Sequence, residues 1–142
     1  MTDLRNVFDN LIRFETMLWD SVDDRLKSEC DVTLSTVNLM LVIDATPDCR
    51  VFDIAEALAI TVGGTSQAVD RLEKAGSCVR RPHPTDRRSS IVELTPAGVA
   101  MLRRAEPVFD NELARLIEAP LPGQNLARFG EALDTLRRSF AR

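Results

Sequence analysis

Residues 61–76 read TVGGTSQAVDRLEKAG and residues 77–95 read SCVRRPHPTDRRSSIVELT. In the first stretch Val62, Ala68, Val69 and Leu72 recur with helical period, which predicts a helix over 62–75 burying these four. Thr61 is placed to cap it, and Gly76 supplies a left-handed stop. The opposite face offers Gly63, Gly64, Ser66, Gln67, Asp70, Arg71 and Lys74, small and polar at its start and basic towards its end. In the second stretch the period changes to 2, so 77–81 and 90–95 read as strands and 82–88 as the loop joining them. Upstream, a shorter helix is expected over 53–59, with Asp53-Ile54-Ala55-Glu56 as a capping box and Asp53 in the cap position. Ile60 and Thr61 then turn the chain. Two helices joined tightly and followed by a hairpin make a helix-turn-helix with a wing.

The flanks read as helices. From about Asp3 to Lys27, Leu4, Val7, Leu11, Phe14 and Leu18 form one apolar row, and Phe8, Ile12, Trp19, Val22 and Leu26 a second. At 100° per residue the two rows cover an arc of roughly 160°, wider than packing on one neighbour requires. Residues 33–44 form a short helix capped by Thr33 or Ser35. Thr95-Pro96 opens a long helix with proline in its first turn, a kink is expected at Pro107, and Pro120 and Pro122 end it. A last helix from about Gln124 carries Leu126, Phe129, Leu133, Leu136 and Phe140. The expected fold is mainly α with a small β-hairpin wing. Residues 31–96 would form the winged helix-turn-helix lobe, and 1–30 with 97–142 a terminal-helix dimerisation region. The terminal helices carry more apolar stripe than one short chain easily hides, which argues for a homodimer over a monomeric helical core.

Composition excludes several functions. With 44% apolar and 28% charged residues in 142, the chain has ordinary globular composition. No apolar run reaches the ~20 residues that cross a bilayer. The start, MTDLRNVFDN, has no signal-peptide pattern, so no membrane partner and a cytoplasmic location are expected. Three cysteines without a C-x-x-C, and one histidine, predict free thiols, no metal site and no cofactor. Without a triad, metal cluster or nucleotide fingerprint, an enzyme is not expected. The net charge of −4 conceals a division. Residues 1–50 hold 5 basic and 10 acidic side chains, whereas 71–88 hold Arg71, Lys74, Arg80, Arg81, Arg87 and Arg88 against only Glu73 and Asp86. Compact and nearly all arginine, that segment suits phosphate and groove contacts.

Asp70-Arg71-Leu72-Glu73-Lys74-Ala75-Gly76, Arg80-Arg81-Pro82-His83-Pro84-Thr85-Asp86-Arg87-Arg88 and Leu94-Thr95-Pro96-Ala97-Gly98 together resemble the MarR family of bacterial transcription regulators. The wing signature, D-x-R followed by L-T-x-x-G, is the most specific part. The resemblance implies a triangular homodimer with two winged lobes. It binds a pseudo-palindromic operator in double-stranded DNA, often releasing it when a small phenolic or similar aromatic effector binds. It places the second helix of the motif in the major groove and Arg88 in the minor groove, oriented by Asp86. Ala59 departs from the turn glycine common in the family, Thr65 from an apolar position, and Phe52 from a serine-type cap. With no cysteine before Cys30 and no tyrosine, a peroxide sensor of this family is disfavoured.

The expected DNA-binding residues are therefore Thr61, Gly63, Gly64, Ser66, Gln67, Arg71, Arg80, Arg81, Asp86, Arg87 and Arg88. Arg71, Arg80 and Arg81 suit phosphate better than base edges, and His83 reads as a solvated loop residue. Phe14, Trp19 and Met40 are candidate walls of an effector pocket, with Arg13 as a carboxylate partner. Two functions compete: a ligand-responsive DNA-binding repressor, and a dimeric winged-helix protein-interaction module that does not bind DNA.

Overall fold

The computed structural model describes residues 1–140; positions 141 and 142 of the expected 97–142 segment lie outside the described residues. The elements are α1 (Leu4–Cys30), α2 (Leu34–Ala45), α3 (Val51–Leu58), α4 (Val62–Lys74), β1 (Cys78–Pro82), β2 (Ser90–Leu94), α5 (Pro96–Leu113), a π-helical turn (Ala114–Glu118) and α6 (Gln124–Ser139). This is a winged helix-turn-helix protein, mainly α with one two-stranded antiparallel hairpin. The chain divides into two compact units, Asp23–Val108 and Met1–Val22 with the chain from Phe109 onward.

The core of the 23–108 unit is built from Leu26, Val37, Met40, Ile54, Val69, Val92 and Leu102, all fully or almost fully buried. These side chains come from α1, α2, α3, α4, β2 and α5, so each element of the lobe except β1 sends at least one large apolar group inward. β1 contributes the buried Cys78. The hairpin pairs Cys78 with Leu94 and Pro82 with Ser90 at its two ends. Val92 N–H also donates to the Cys49 carbonyl at 2.7 Å, tying the segment before α3 to the wing.

Local chemistry explains where the helices begin. Thr33 caps α2, accepting the Thr36 N–H at 3.2 Å. The Asp23 carboxylate accepts the Leu34 N–H at 2.9 Å and pairs with Lys27 at 2.7 Å. α3 starts two residues earlier than its sequence suggests. Its cap position is Arg50, and Asp53 lies three residues into the motif, accepting the Arg50 N–H at 2.9 Å. Phe52 is accordingly inside the helix and exposed, not at its cap. α5 runs through Pro107 to Leu113, and the turn that follows closes with Ala119 N–H on the Ala114 carbonyl at 2.8 Å.

The L-T-x-x-G stretch closes the lobe. Thr95 N–H donates to the Ser77 carbonyl at 3.0 Å, and its hydroxyl donates to the Gly76 carbonyl at 2.6 Å. The same hydroxyl accepts the Gly98 N–H at 3.1 Å, capping α5. A Cβ at Gly98 would lie 2.0 Å from the Ser77 carbonyl oxygen. In the other unit, buried Glu112 accepts the Arg115 Nε–H at 2.8 Å and the Ser21 hydroxyl at 3.4 Å.

Two outcomes follow for stability. Gly98→Ala must push backbone from backbone and is expected to cost more than about 2 kcal/mol in urea unfolding; a wild-type midpoint would show that the contact is not tight. The Lys27 ammonium, and after it the Leu34 N–H, hold the Asp23 carboxyl below its ordinary range. A depressed carboxyl stabilises the fold above its unfolded pKa, and that contribution is lost as pH falls through the folded value. Asp23→Asn should therefore destabilise the protein by about 1 kcal/mol at neutral pH. The gap should close in acid, below the ordinary carboxylate range. An equal gap at pH 7 and in acid would rule out a role for the charge.

Candidate nucleic-acid interface

α4 presents an open start. The Thr61 hydroxyl accepts the Gly64 N–H at 3.1 Å, as the cap position requires. Thr65 is fully buried, and its hydroxyl is satisfied by the Thr61 carbonyl at 2.8 Å, so a threonine serves where an apolar side chain was the expectation. Ala59 adopts φ 54, the left-handed conformation that makes glycine common at such a turn. Val62, expected in the core, is exposed, because the first turn of α4 projects beyond the packed part of the lobe. Thr61, Gly63, Gly64 and Gln67 are exposed, and Ser66 is half-buried.

The two glycines have different causes. A Cβ at Gly64 would meet the Thr61 hydroxyl at 3.0 Å, so the cap itself favours glycine there. A Cβ at Gly63 would meet nothing within 4 Å. No packing inside the protein calls for glycine at that position, although glycine in a helix costs about 1 kcal/mol relative to alanine.

The wing is organised by His83, whose role sequence reading missed. It is half-buried and bonded rather than solvated. Its Nε2 lies 2.7 Å from Arg50 Nη2, and its Nδ1 accepts the Thr85 and Asp86 N–H groups, both at 3.2 Å. The His83 N–H donates to the Ser89 carbonyl at 3.1 Å, closing the loop neck. The P-H-P sequence was the available signal, but Arg50 lies 33 positions away. Asp86 acts on the main chain: its carboxylate accepts the Arg88 N–H at 3.0 Å, fixing the bend that displays Arg87 and Arg88. Both arginines are exposed.

The basic residues divide into engaged and available groups. Arg80 is not a free cation: it pairs with Asp70 at 2.7 Å and Glu73 at 3.2 Å on α4. Arg81 pairs with Glu93 across the hairpin at 2.7 Å, while remaining exposed. Arg71, Lys74, Arg87 and Arg88 make no ion pair among the described residues and stand exposed. The face that can accept phosphate is therefore smaller than the run of basic letters implies.

The expected effector residues belong to different units. Met40 is fully buried in the 23–108 unit, whereas Arg13, Phe14 and Trp19 lie exposed on α1 in the other. Arg13 is paired with Asp9 at 2.8 Å. The hollow beside Trp19 is lined by Glu15, Thr16 and Asp20. Cys30, Cys49 and Cys78 are buried free thiols. Burial, and then the nearby Glu73 charge, push Cys78 up to about 11, and burial and Asp53 raise Cys49. Neither offers a thiolate at neutral pH. Among the described residues no helix is long and apolar enough to cross a membrane, and no group of three His, Cys, Asp or Glu could hold a metal.

Comparison with known proteins points the same way as this geometry. The model of the MarR family matches residues 31–89, from the start of the lobe through β1 and the wing loop. The chain is 28% identical over 110 residues to the HTH-type transcriptional regulator YfiV of Bacillus subtilis, covering 78% of this chain and 68% of that one. It is 33% identical over 97 residues to an HTH-type transcriptional regulator of Bacillus cereus, covering 68% of this chain and 63% of that relative's length. Among solved structures, Sco3205 of Streptomyces coelicolor, a MarR family transcriptional regulator in complex with DNA, superposes with a TM-score of 0.89 at 25% identity. That match covers 97% of this chain and 88% of Sco3205. Relatives and fold alike are those of regulators rather than enzymes. Shared sequence through residues 31–89, and a shared fold through nearly the whole chain, make this protein similar to the MarR family of transcriptional regulators.

Proposed function

We propose that the protein is a repressor that binds a pseudo-palindromic operator as a homodimer. The observation that carries this reading is the pairing of two exposed, unengaged features in one lobe. These are the glycine-lined start of α4 and the Arg87–Arg88 tip of the wing. The first suits a major groove, where Gln67 reads adenine and the helix N-terminus meets phosphate. The second suits the narrow, electronegative minor groove of A·T-rich DNA. Sco3205, similar in fold, is solved in complex with DNA, which supports DNA binding as the lobe's task.

The dimer is supported by the unit that holds the chain's two ends. α1 exposes Leu4, Val7, Phe8 and Leu11, spaced three and four apart along one face, and α6 exposes Leu133 and Leu136. Apolar helix stripes left exposed in this way suit an interface. Segments 1–30 and 97–142 would supply it, leaving 31–96 to DNA, in the cytoplasm where the chromosome lies. Release by a small aromatic acid is supported by a cavity of about 410 Å³ within the 23–108 unit, lined by Thr33, Leu39, Ala68, Arg71, Leu72 and Met101. An anion drawn to Arg71 there would remove one of the four available cations.

Selection of genomic DNA fragments by the purified protein tests the main reading. An inverted repeat with half-sites about one helical turn apart is expected. Arg88→Ala at the same salt should lose about 1–3 kcal/mol of operator binding. If neither protein enriches an inverted repeat, with or without aromatic acids, the dimeric protein-interaction module takes its place. Gly63→Ala gives a second, sharper outcome. It should stabilise the lobe by about 0.5–1 kcal/mol, because alanine favours helix and the space is open. It should also weaken operator binding, because the new methyl stands where DNA approaches. Unchanged binding by the stabilised variant would reduce Gly63 to a weak helix start.

A further inference from the structure

Arg80 is unlike the other basic residues of the lobe. Only 23% of its side chain is exposed, and every polar contact it makes is to α4. Its backbone N–H donates to Glu73 Oε2 at 3.0 Å. Nη1 lies 2.7 Å from Asp70 Oδ1 and donates to Glu73 Oε1 at 3.2 Å, while Nη2 donates to the Ser66 carbonyl at 3.3 Å. Ser66, Asp70 and Glu73 stand four and three positions apart, so they form one stripe along α4. A single side chain from β1 thus grips about two turns of the helix, some 10 Å of its length.

The same stripe presents a difficulty that DNA binding alone leaves open. Asp70 and Glu73 place two carboxylates on the helix that is to enter a groove lined by phosphates, and each is substantially exposed. Left unpaired they would repel the partner. Their geometry gives them another task, as anchors for the guanidinium fork.

We infer that Arg80 is a positioning residue: it fixes the wing against the recognition helix, so that the groove-reading surface and the Arg87–Arg88 tip meet one stretch of DNA together. It contacts no phosphate itself. Two elements held at the right spacing bind as one ligand, whereas a loose wing must be ordered at the moment of binding. A lysine cannot replace the fork, because one ammonium does not reach three acceptors spread over two turns in a fixed plane. This inference rests on the proposed DNA binding, and the experiment separates the two.

Operator affinity is measured across a salt series for wild type, Arg80→Gln, Arg80→Lys, Asp70→Asn, Glu73→Gln and Arg88→Ala. Hydrogen exchange of residues 78–94 is followed in each free protein, with folding checked by circular dichroism. Both Arg80 variants should bind roughly tenfold more weakly and exchange faster through the hairpin. Arg80→Gln should keep the wild-type salt slope, whereas Arg88→Ala, losing a DNA contact, should lower it by about 1. Asp70→Asn and Glu73→Gln should also weaken binding, about threefold each, although each removes a negative charge. Wild-type affinity in Arg80→Lys, a salt slope lowered in Arg80→Gln, or tighter binding by Asp70→Asn with unchanged hairpin exchange would each overturn the inference. If wild type binds no DNA, the regulator reading falls and the positioning role falls with it. Unchanged hairpin exchange would add that Arg80 does not hold the wing at all.

Discussion

The chain leaves α4 at Gly76 and enters α5 at Pro96, and these two points are fastened to each other through Thr95. Its N–H and hydroxyl bond to the Ser77 and Gly76 carbonyls, and the same hydroxyl caps α5 through Gly98. The approach is so close that a side chain at Gly98 would collide with Ser77. Everything between, the nineteen residues of hairpin and wing loop, is therefore a closed loop mounted on one rigid neck. The recognition helix ends there, the wing begins and ends there, and α5 starts there. Thr95 and Gly98 carry out separate parts of that junction, the first through its hydroxyl and the second through its missing side chain.

Above the neck, the wing is held at three further places. Val92 bonds to Cys49, His83 meets Arg50, and Arg80 grips α4. Two of these anchors come from the segment that opens α3, and the third from the recognition helix. Both helices of the motif are thus tied to the hairpin by polar contacts. The apolar core below supplies most of the stability, but it cannot fix an angle as hydrogen bonds do. The proposed reading of two grooves at once would need such direction-dependent ties between helix and wing.

Much of this was legible because its signals are local. The change of period after Gly76, the cap at Thr61, and the proline of the first turn of α5 each act within a few residues of the structure they specify. The same locality explains the errors. Asp53 looks like a cap from its sequence neighbours, yet it stands at the third helical position, where its carboxylate reaches back to accept the Arg50 N–H. Val62 fits the apolar period but lies in a turn that extends past the core. The state of the arginines is beyond any local reading. Arg81 meets Glu93 diagonally across the hairpin, since the register places Val79 opposite Glu93. Arg80 meets an α4 stripe that only the packed hairpin brings near. Identical letters at 80, 81, 87 and 88 conceal two brackets and two available cations.

That division bears on how the protein finds a site. The net charge of −4 gives the chain little general attraction for polyanions. Ion pairing of Arg80 and Arg81 offsets the charge of two more cations. Each phosphate neutralised contributes a salt slope of about −0.9, so affinity from charge alone grows with the number of available cations. Arg71, Lys74, Arg87 and Arg88 are few in each lobe, and non-specific binding by one lobe is correspondingly weak at physiological salt. In the proposed dimer, weak adhesion would leave the burden of affinity to shape: a glycine-lined helix start that can approach closely, a wing at fixed spacing, and a second lobe joined through the apolar helices of the other unit. A regulator built in this way would lose little time on irrelevant DNA, and it would depend for its binding on having every part of its geometry in place.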